Sequence, residues 1–564
     1  MKLTGAQIFV KSLLAEGVDL IFGYPGGAVL PVYDVLYDSR LKHLRVRHEQ
    51  GAVHMADGYA RATGKPGVCL VTSGPGATNT VTGIANAYMD SIPIVVFTGQ
   101  VPVGLIGNDA FQEADIIGIT RPCTKHSFLV RETKDLARTI KEAFYIATSG
   151  KQGPVVVDLP KDVLNAEADY AYPDKVDLPG YKPTTKGHPA QVKKVFEAIK
   201  KAERPVLYVG GGMVSANASG ELLKFAKGIS TPVTTTLMGL GSFPSGHALS
   251  LGMLGMHGTY TANMAMHETD LMIALGSRFD DRVTGKLELF AQNCGVIHVD
   301  VDPSSIGKNV KVDIPVVGDL LDVMKKLNGL LEKDKTGWKA KHRKWLKQIG
   351  EWKKDQPLRY KQSKKIIKPQ YVVEQLHEAA MEGKHDVIYS TEVGQAQMWS
   401  AQFLSFKKPR TFLTSGGLGT MGYGFPAAIG AQAAFPKRMV IDVAGDGSIQ
   451  MNIQELAAAV EYGLNVKVAV LNNGTLGMVR QWQEFFYKKR YAYSMMTPEP
   501  DFVKLAEAYG AVGLRATKPS EVRKAIDKAF SVDKPVLIDF VVEQEENVYP
   551  MVPAGKAIKD MLLA

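Results

Sequence analysis

MVIDVAGDGSIQMNIQELAAAVEYGLNVKVAVLNN, residues 439–473, reads as a strand, a tight Gly-Asp-Gly turn, a helix, a second strand and two asparagines. The first strand runs into Asp446 and the second into Asn473, 27 residues further on. A right-handed βαβ crossover of this length brings both strand ends to one edge of a parallel sheet. A carboxylate and an amide oxygen, with no His or Cys beside them, suit Mg2+. That ion takes few protein ligands and completes its shell with phosphate and water. The glycines would let the backbone approach a diphosphate. Either half alone is a common Asp-Gly turn or Asn-Asn cap, but both together, each after a strand, point to chemistry.

The same rhythm extends in both directions. GVCLVTS (67–73), IPIVVFTGQ (92–100) and GPVVVDLP (153–160) mark a first block. RPVLYVGGG (204–212), DLMIALGSRFD (270–280) and GVIHVDVDP (295–303) mark a second. DVIYSTEVGQ (386–395), VKVAVLNNG (466–474) and KPVLIDFVV (534–542) complete a third around the opening stretch. Near-continuous apolar strands alternating with helices indicate parallel sheets covered on both faces. The fold class expected is α/β, with three domains, each a mostly parallel sheet flanked by helices. The boundaries expected are 1–167, 190–330, a basic linker helix 331–368, 369–545 and a short tail 546–564. A Pro-, Tyr- and Asp-rich linker (168–190) joins the first two blocks.

Composition excludes several classes. Cys69, Cys123 and Cys294 are too scattered for a disulfide framework or a zinc pattern and suit a reducing cytoplasm. The start, MKLTGAQIFVKSLLAEG, lacks a secretory signal's apolar core, and no run approaches the ~20 apolar residues of a membrane span. The net charge of +10 suggests nucleic acid until it is located. Residues 331–368 hold 14 Lys and Arg against 4 Asp and Glu, which is the whole excess. Trp338, Trp345 and Trp352 recur there every seven residues, along one helix face. That predicts a linker helix laid across a domain by its Trp stripe in preference to a nucleic-acid arm, whose stacking aromatics would be dispersed on the basic surface.

RHEQGAVHMADGYARATG, residues 47–64, places the lone acid Glu49 between a basic cluster and a small-residue helix. It reads either as an acid meeting the helix dipole or as a carboxylate held for chemistry.

GDG followed by NN at this spacing resembles the motif of thiamine diphosphate enzymes. FGYPGGAVLPVYD, DAFQEADIIGIT, SRFDDRVTG, TSGGLGTMGYGFPAAIGAQ and LGMVRQWQEFF resemble blocks of one family in particular, the biosynthetic acetolactate (acetohydroxyacid) synthases, almost end to end. The resemblance implies that Asp446, Asn473 and the main-chain oxygen of Thr475 hold Mg2+. Val393, Gly394, Gln395, Gly447 and Ser448 would line the diphosphate of thiamine diphosphate, while Gly419, Met421 and Met478 would hold its bent aminopyrimidine. Glu49 would share a proton with the pyrimidine nitrogen N1′, work suited to a buried carboxylate. Gln112 and Lys161 complete the catalytic set, with Phe111 bordering the substrate channel. Met478, Val479 and Trp482 would shape the pocket for the second substrate. Lys151, Gly210, Gly211, Gly212, Met256, His257, Gly258, Arg278, Asp280, Arg282, Asp300 and Asp319 would contact FAD, in a structural role, since carboligation transfers no net electron.

Pattern alone leaves bland readings open for these residues: core for Met478, Val479 and Trp482, a Gly-rich helix entry for Gly419 and Met421, a solvated lysine for Lys161, a loop aromatic for Phe111, strand caps for the middle acids. The implied reaction decarboxylates pyruvate and joins the two-carbon remainder to a second 2-keto acid. A catabolic acetolactate synthase without flavin, and pyruvate oxidase, are the rivals. The implied partners are 2-keto acids, a second copy in a homodimer or tetramer with sites at the interface, and a separate small regulatory subunit, with no nucleic acid and no membrane. Three positions depart from the family's usual residues: Lys151 for Arg, Glu392 for Asp and Ala396 for His. The last removes one expected bond to the diphosphate and predicts weaker cofactor retention.

Overall fold

The computed structural model describes residues 1–564, and three six-stranded, wholly parallel sheets organise them. The first sheet runs Lys42–Arg45, Leu20–Gly23, Gly67–Val71, Ile94–Gln100, Val155–Pro160, His126–Leu129. The third runs Phe412–Leu413, Val387–Thr391, Met439–Gly445, Lys467–Asn472, Val536–Val541, Val512–Ala516. Counted within each domain, both have the order 2-1-3-4-6-5. The middle sheet runs Ser250–Met253, Val233–Thr235, Pro205–Val209, Leu271–Leu275, Gly295–Asp300, Ile314–Val317. Its order, 3-2-1-4-5-6, is that of dinucleotide-binding folds, with a crevice where the winding reverses. Central strands such as Val155–Pro160 and Leu271–Leu275 are buried at every residue, as apolar runs covered on both faces must be.

The first and third domains meet through two small-residue helices, Glu49–Thr63 and Gly424–Ala434. A Cβ on Gly58 would lie 2.2 Å from the Ala427 carbonyl oxygen, and one on Gly430 would lie 2.0 Å from that of Met55. Close backbone approach is what the run of Gly and Ala permits. One apolar cluster therefore spans both domains, from Phe22 and Val53 to Phe425 and Ile449.

Three boundaries shift from the sequence expectation. Ala168 and Asp169, read as linker, pair antiparallel with Leu3 and Lys2, so the first domain runs through Asp169. Ile367 is buried in the third domain and bridges Val542, so that domain begins before residue 369. The basic segment is not one helix: it forms Trp338–Lys341 and Arg343–Asp355, broken at His342, and carries no helix from Gln356 to Lys368. His342, at the break, is buried with its ring against the carbonyls of Ile229 and Ser230.

The Trp residues do anchor this segment. Trp338 packs on Phe196 on one face of the middle sheet, and Trp345 joins the cluster on the other. Trp345 also donates to the Pro205 carbonyl at 3.2 Å and meets Trp352 edge to face. Trp345→Ala is expected to destabilise the middle domain by about 3–5 kcal/mol, against roughly 0.5 kcal/mol or less for exposed Lys347→Ala. Urea unfolding of the two variants checks this.

The tail is packed. Val548, Met551, Val552 and Ile558 are buried. Gln481, Arg480 and Gln402 reach the backbone oxygens of Val548, Glu546 and Tyr549, and Val552 donates to Met256.

Candidate active site

The strands Met439–Gly445 and Lys467–Asn472 are adjacent and parallel, with Gly445 opposite Leu471. The turns that follow them therefore lie side by side, as the crossover spacing requires. Asp446 is 2 % exposed and its Oδ2 has no hydrogen-bond partner. Burial, with Glu499 next, pushes its carboxyl up to about 7, against the N–H groups of Gly447 and Gly474. Asn473 is buried, and its Oδ1 accepts from the Thr475 N–H and hydroxyl, both at 3.0 Å. An unpartnered buried carboxylate oxygen beside an oriented amide oxygen fits a hard cation. No group of three His, Cys, Asp or Glu elsewhere offers a metal site.

A diphosphate also fits beside it. The helices Gln395–Phe403 and Gly477–Phe486 both start without a side-chain cap, leaving N–H donors for an anion. A Cβ at Gly394, Gly419 or Gly445 would meet nothing within 4 Å, so these backbones face open space. Gly394 and Gly419 hold φ of 140° and 70°, which favours glycine. Gln395 donates to Gln481 and to the Glu546 carbonyl and receives a bond from Asn473, which ties the helix start to the second turn and the tail. Ala396 is buried in the third domain's apolar cluster.

A cavity of about 740 Å³ opens between the middle and third domains. Val393, Gly394, Gly419, Met421, Met478, Val479 and Trp482 line it from the third domain. Gly210, Gly211, Gly212, Met256, His257, Arg278, Asp280, Arg282, Asp300 and Asp319 line it from the middle one, with Lys151 from the first. It lies over the reversal point: a Cβ at Gly210 would sit 2.1 Å from the Gly276 carbonyl oxygen, so the two central strand ends touch. That shape and position fit a dinucleotide such as FAD. Arg282 stacks over Trp482 at 5.8 Å, joining the two walls.

Several side chains in this wall have structural work as well. Asp280 and Asp319 cap the helices that follow them. Burial would raise the Asp302 carboxyl, but Ser304, Lys151 and Ser305 hold it at about 2. Lys151 is 3.0 Å from Asp302 and 3.4 Å from Ser305, so its ammonium is engaged at the rim. Gly258 is absent from the lining: a Cβ there would collide with Gly255 N and Met253 O at 2.6 Å, so it serves a packed turn.

The first-domain residues gather elsewhere. His48, not Glu49, caps the helix, its Nδ1 accepting from Gln50. Glu49 is half-buried, where a buried carboxylate was expected, and its Oε2 accepts from Asn79 at 2.9 Å. The Gly74–Gly76 turn lies between Glu49 and Gln112: a Cβ on Gly74 would be 2.8 Å from the Gln112 carbonyl oxygen, and one on Gly76 would be 3.4 Å from Glu49 Oε1. Lys161 follows the strand end at Pro160. Phe111 is 88 % exposed and Gln112, at φ 59°, is exposed. None of Glu49, Phe111, Gln112 and Lys161 lines the cavity. These four residues thus gather at the first sheet's edge, apart from the cavity lining.

The sequence reading missed a polar network behind these residues. Glu392 is fully buried beside Asp442, whose two carboxylate oxygens have no partner. Burial raises Glu392, and burial with the charge of Glu392 raises Asp442 well above the carboxylate range. Glu392 accepts three bonds, which favour its charged form over that of Asp442, which accepts none. Asp57, Arg61 and Asp90 form a second buried cluster, with Tyr423 donating to Asp57 at 2.7 Å. Glu499, with an unpartnered buried Oε1, lies on the loop that follows Met495, which bridges Thr475. Paired buried acids far apart in sequence leave no periodic signal.

Three family models cover the chain: "Thiamine pyrophosphate enzyme, N-terminal TPP binding domain" over residues 3–119, the "central domain" over 192–327 and the "C-terminal TPP binding domain" over 392–540. The chain is 49% identical to the acetolactate synthase large subunit of Haemophilus influenzae, across 100% of this chain and 98% of that protein. It is 49% identical to the acetolactate synthase isozyme 3 large subunit of Escherichia coli, across 100% and 99%. It is 52% identical to the acetolactate synthase of Mycobacterium bovis, across 98% and 90%.

Proposed function

The chain belongs to the acetolactate synthase large subunits, within the thiamine pyrophosphate enzymes, and from that premise we propose how its residues divide the work. Pyruvate loses carbon dioxide, and the two-carbon remainder is added to a second pyruvate or to 2-ketobutyrate. The products are 2-acetolactate and 2-aceto-2-hydroxybutyrate, on the way to valine, leucine and isoleucine. Large-subunit relatives over the full chain support this reading over the catabolic enzyme and pyruvate oxidase.

The observation that carries the site assignment is the unpartnered Oδ2 of Asp446 beside Asn473, at the ends of adjacent parallel strands. Asp446, Asn473 and the Thr475 carbonyl would hold Mg2+. Val393, Gly394, Gln395, Gly447 and Ser448 would surround the diphosphate, and Gly419, Met421 and Met478 the aminopyrimidine. Thiamine diphosphate, when bound, supplies the carbon nucleophile and the electron sink for decarboxylation. Glu49 holds and returns a proton through Oε1, since Asn79 occupies Oε2. Gln112 and Lys161 orient the substrate carboxylates, with Phe111 at the channel mouth. Val479 and Trp482 exclude water and size the pocket for the second 2-keto acid. The middle-domain residues that line the cavity, Gly258 excepted, and Lys151 would hold FAD, which serves packing and shape.

Two half-sites on separate edges support a homodimer or tetramer in which Glu49 of one copy completes the other's site. Leu30, Phe111 and Ile119 of the first domain and Leu418, Met451 and Val479 of the third are exposed apolar side chains that a second copy would cover. Residues whose work lies at such an interface are inactive in an isolated monomer, and a separate small regulatory subunit is a partner to test for. No helix is long and apolar enough to cross a membrane. Three free cysteines fit a cytoplasmic location.

Purified protein with thiamine diphosphate, Mg2+, FAD and pyruvate should form acetolactate and carry flavin absorbance. No product under any combination overturns the reading. Ala396→His should tighten thiamine diphosphate binding by up to about tenfold, the worth of one added hydrogen bond. An unchanged dissociation constant shows that the missing imidazole costs nothing.

A further inference from the structure

The loop Gly416–Gly422 carries Gly419 and Met421 to the cavity, yet its own side chains do little to hold it. Its backbone is fastened at both ends by carboxylates. At the start, the N–H groups of Gly416 and Gly417 donate to Asp90 at 2.9 and 2.7 Å. At the end, the N–H of Gly422 donates to Glu392 at 2.7 Å and that of Phe425 at 3.0 Å. The Ser448 hydroxyl donates to the same Glu392 oxygen at 2.6 Å.

We infer that Asp90 and Glu392 are positioning residues forming a two-carboxylate clamp, which presets the loop under the aminopyrimidine and locks it to the turn under the diphosphate. The inference rests on the site assignment above and deepens it. Asp90 comes from the first domain at the end of helix Val81–Asp90, and its side chain is 1 % exposed. Arg61 balances its charge at 2.8 Å. A Cβ on Gly416 or Gly417 would lie 3.2 Å from Asp90 Oδ1, so side chains there would crowd the carboxylate. Asn86, on the same helix, adds bonds from Ser415 and Thr420 at 2.6 and 3.2 Å.

Glu392 has no cation. Its three donors replace water, and it leaves the strand Val387–Thr391 between the loop and the Gly-Asp-Gly turn. Ser448 also accepts from Gly422 at 3.2 Å, so loop, turn and carboxylate close one ring of bonds. The span between the two anchors, Leu418 to Met421, is tied through Thr420, whose N–H donates to Ser415 Oγ at 2.8 Å and whose hydroxyl donates to Asn86, and it includes the left-handed Gly419. A backbone so fixed need not be ordered when the cofactor binds, and the saved ordering cost appears as affinity.

The test measures thiamine diphosphate binding calorimetrically with Mg2+, on full-length protein and on Glu392→Gln, Glu392→Asp and Asp90→Asn. Glu392→Gln turns one acceptor into a donor facing donors. It should raise the dissociation constant about tenfold or more, the effect of losing a hydrogen bond to a charged group. Asp90→Asn should act the same way. In both, turnover at saturating cofactor should fall much less than affinity, and in Glu392→Gln, whose residue lies outside the cavity lining, retained FAD should not change. Glu392→Asp keeps the charge and should recover most of the loss. Unchanged affinity in folded Glu392→Gln or Asp90→Asn overturns the clamp. So does Glu392→Asp binding no better than Glu392→Gln, which would make side-chain volume the cause. If Glu392→Gln does not fold, Asp90→Asn decides. Parent protein that binds no thiamine diphosphate overturns the site assignment instead.

Discussion

Glu49→Gln lowers turnover by about 10²–10⁴-fold, the range a general acid–base group contributes, while the protein still folds, self-associates and binds thiamine diphosphate with Mg2+. The fold survives because His48 caps the helix and Glu49 does not. The helix dipole forfeits at most about 1 kcal/mol with the charge. The amide oxygen can still accept from Asn79, so the side chain keeps its place. What is lost is the ability of Oε1 to take and return a proton. Steady-state kinetics beside calorimetry separates these terms: kcat collapses while cofactor affinity moves little. Near-parental turnover would return Glu49 to a helix-end acid. Mixing this variant with one defective in the third-domain half-site gives a further check. A dimer with shared sites regains part of the activity, because one mixed interface is intact.

Asp446→Asn shifts two quantities in opposite directions. Without cofactor, Asp446 is a buried carboxylate with one oxygen unpartnered, a costly arrangement. The neutral amide of the same shape relieves that cost, so the metal-free variant melts at or above the parent's temperature. With thiamine diphosphate and Mg2+ the parent gains stability by mass action, and the variant gains little. The lost charge at a hard-cation site is worth several kcal/mol, which corresponds to about 10²-fold or more in affinity. Differential scanning calorimetry with and without both ligands reads the two effects together. A variant that keeps the parental ligand-induced shift removes Asp446 from the metal site.

Legibility tracked the physics of each feature. Runs such as IPIVVFTGQ and DLMIALGSRFD announce central strands because both their faces are buried. The outer strands KHLR, HSFL, SLGM, IPVV, FL and VGLRA are short and partly exposed, so no apolar run marks them. The Trp repeat marked residues that anchor the basic segment, but on two helices and on opposite faces of the middle sheet, not as one stripe. His342, where the two helices part, meets carbonyls of residues 229 and 230, which no local pattern contains.

The same division holds for the site. Asp446 and Asn473 were legible because a crossover of fixed handedness ties sequence spacing to spatial adjacency. The middle-domain cavity was legible only through resemblance, since VLYVGGG lacks a full glycine fingerprint. The sheet order 3-2-1-4-5-6 supplies the independent reason for a crevice at Gly210 and Gly276. The family's motifs brought Glu49 and Gly419 into view, and sites at a subunit interface already implied that the two lie apart within one chain.

By itself the sequence determined the three parallel sheets, the adjacent strand ends at Asp446 and Asn473 and the small-residue helix behind Glu49, because periodicity, glycine and strand-end chemistry act over a few residues. The tertiary structure alone decided that His48 is the cap, and that Asp90 and Glu392 bond one loop from two domains. Those outcomes depend on which buried donors find which acceptors across hundreds of residues. Desolvation enforces such pairings strongly, and chain order does not record them.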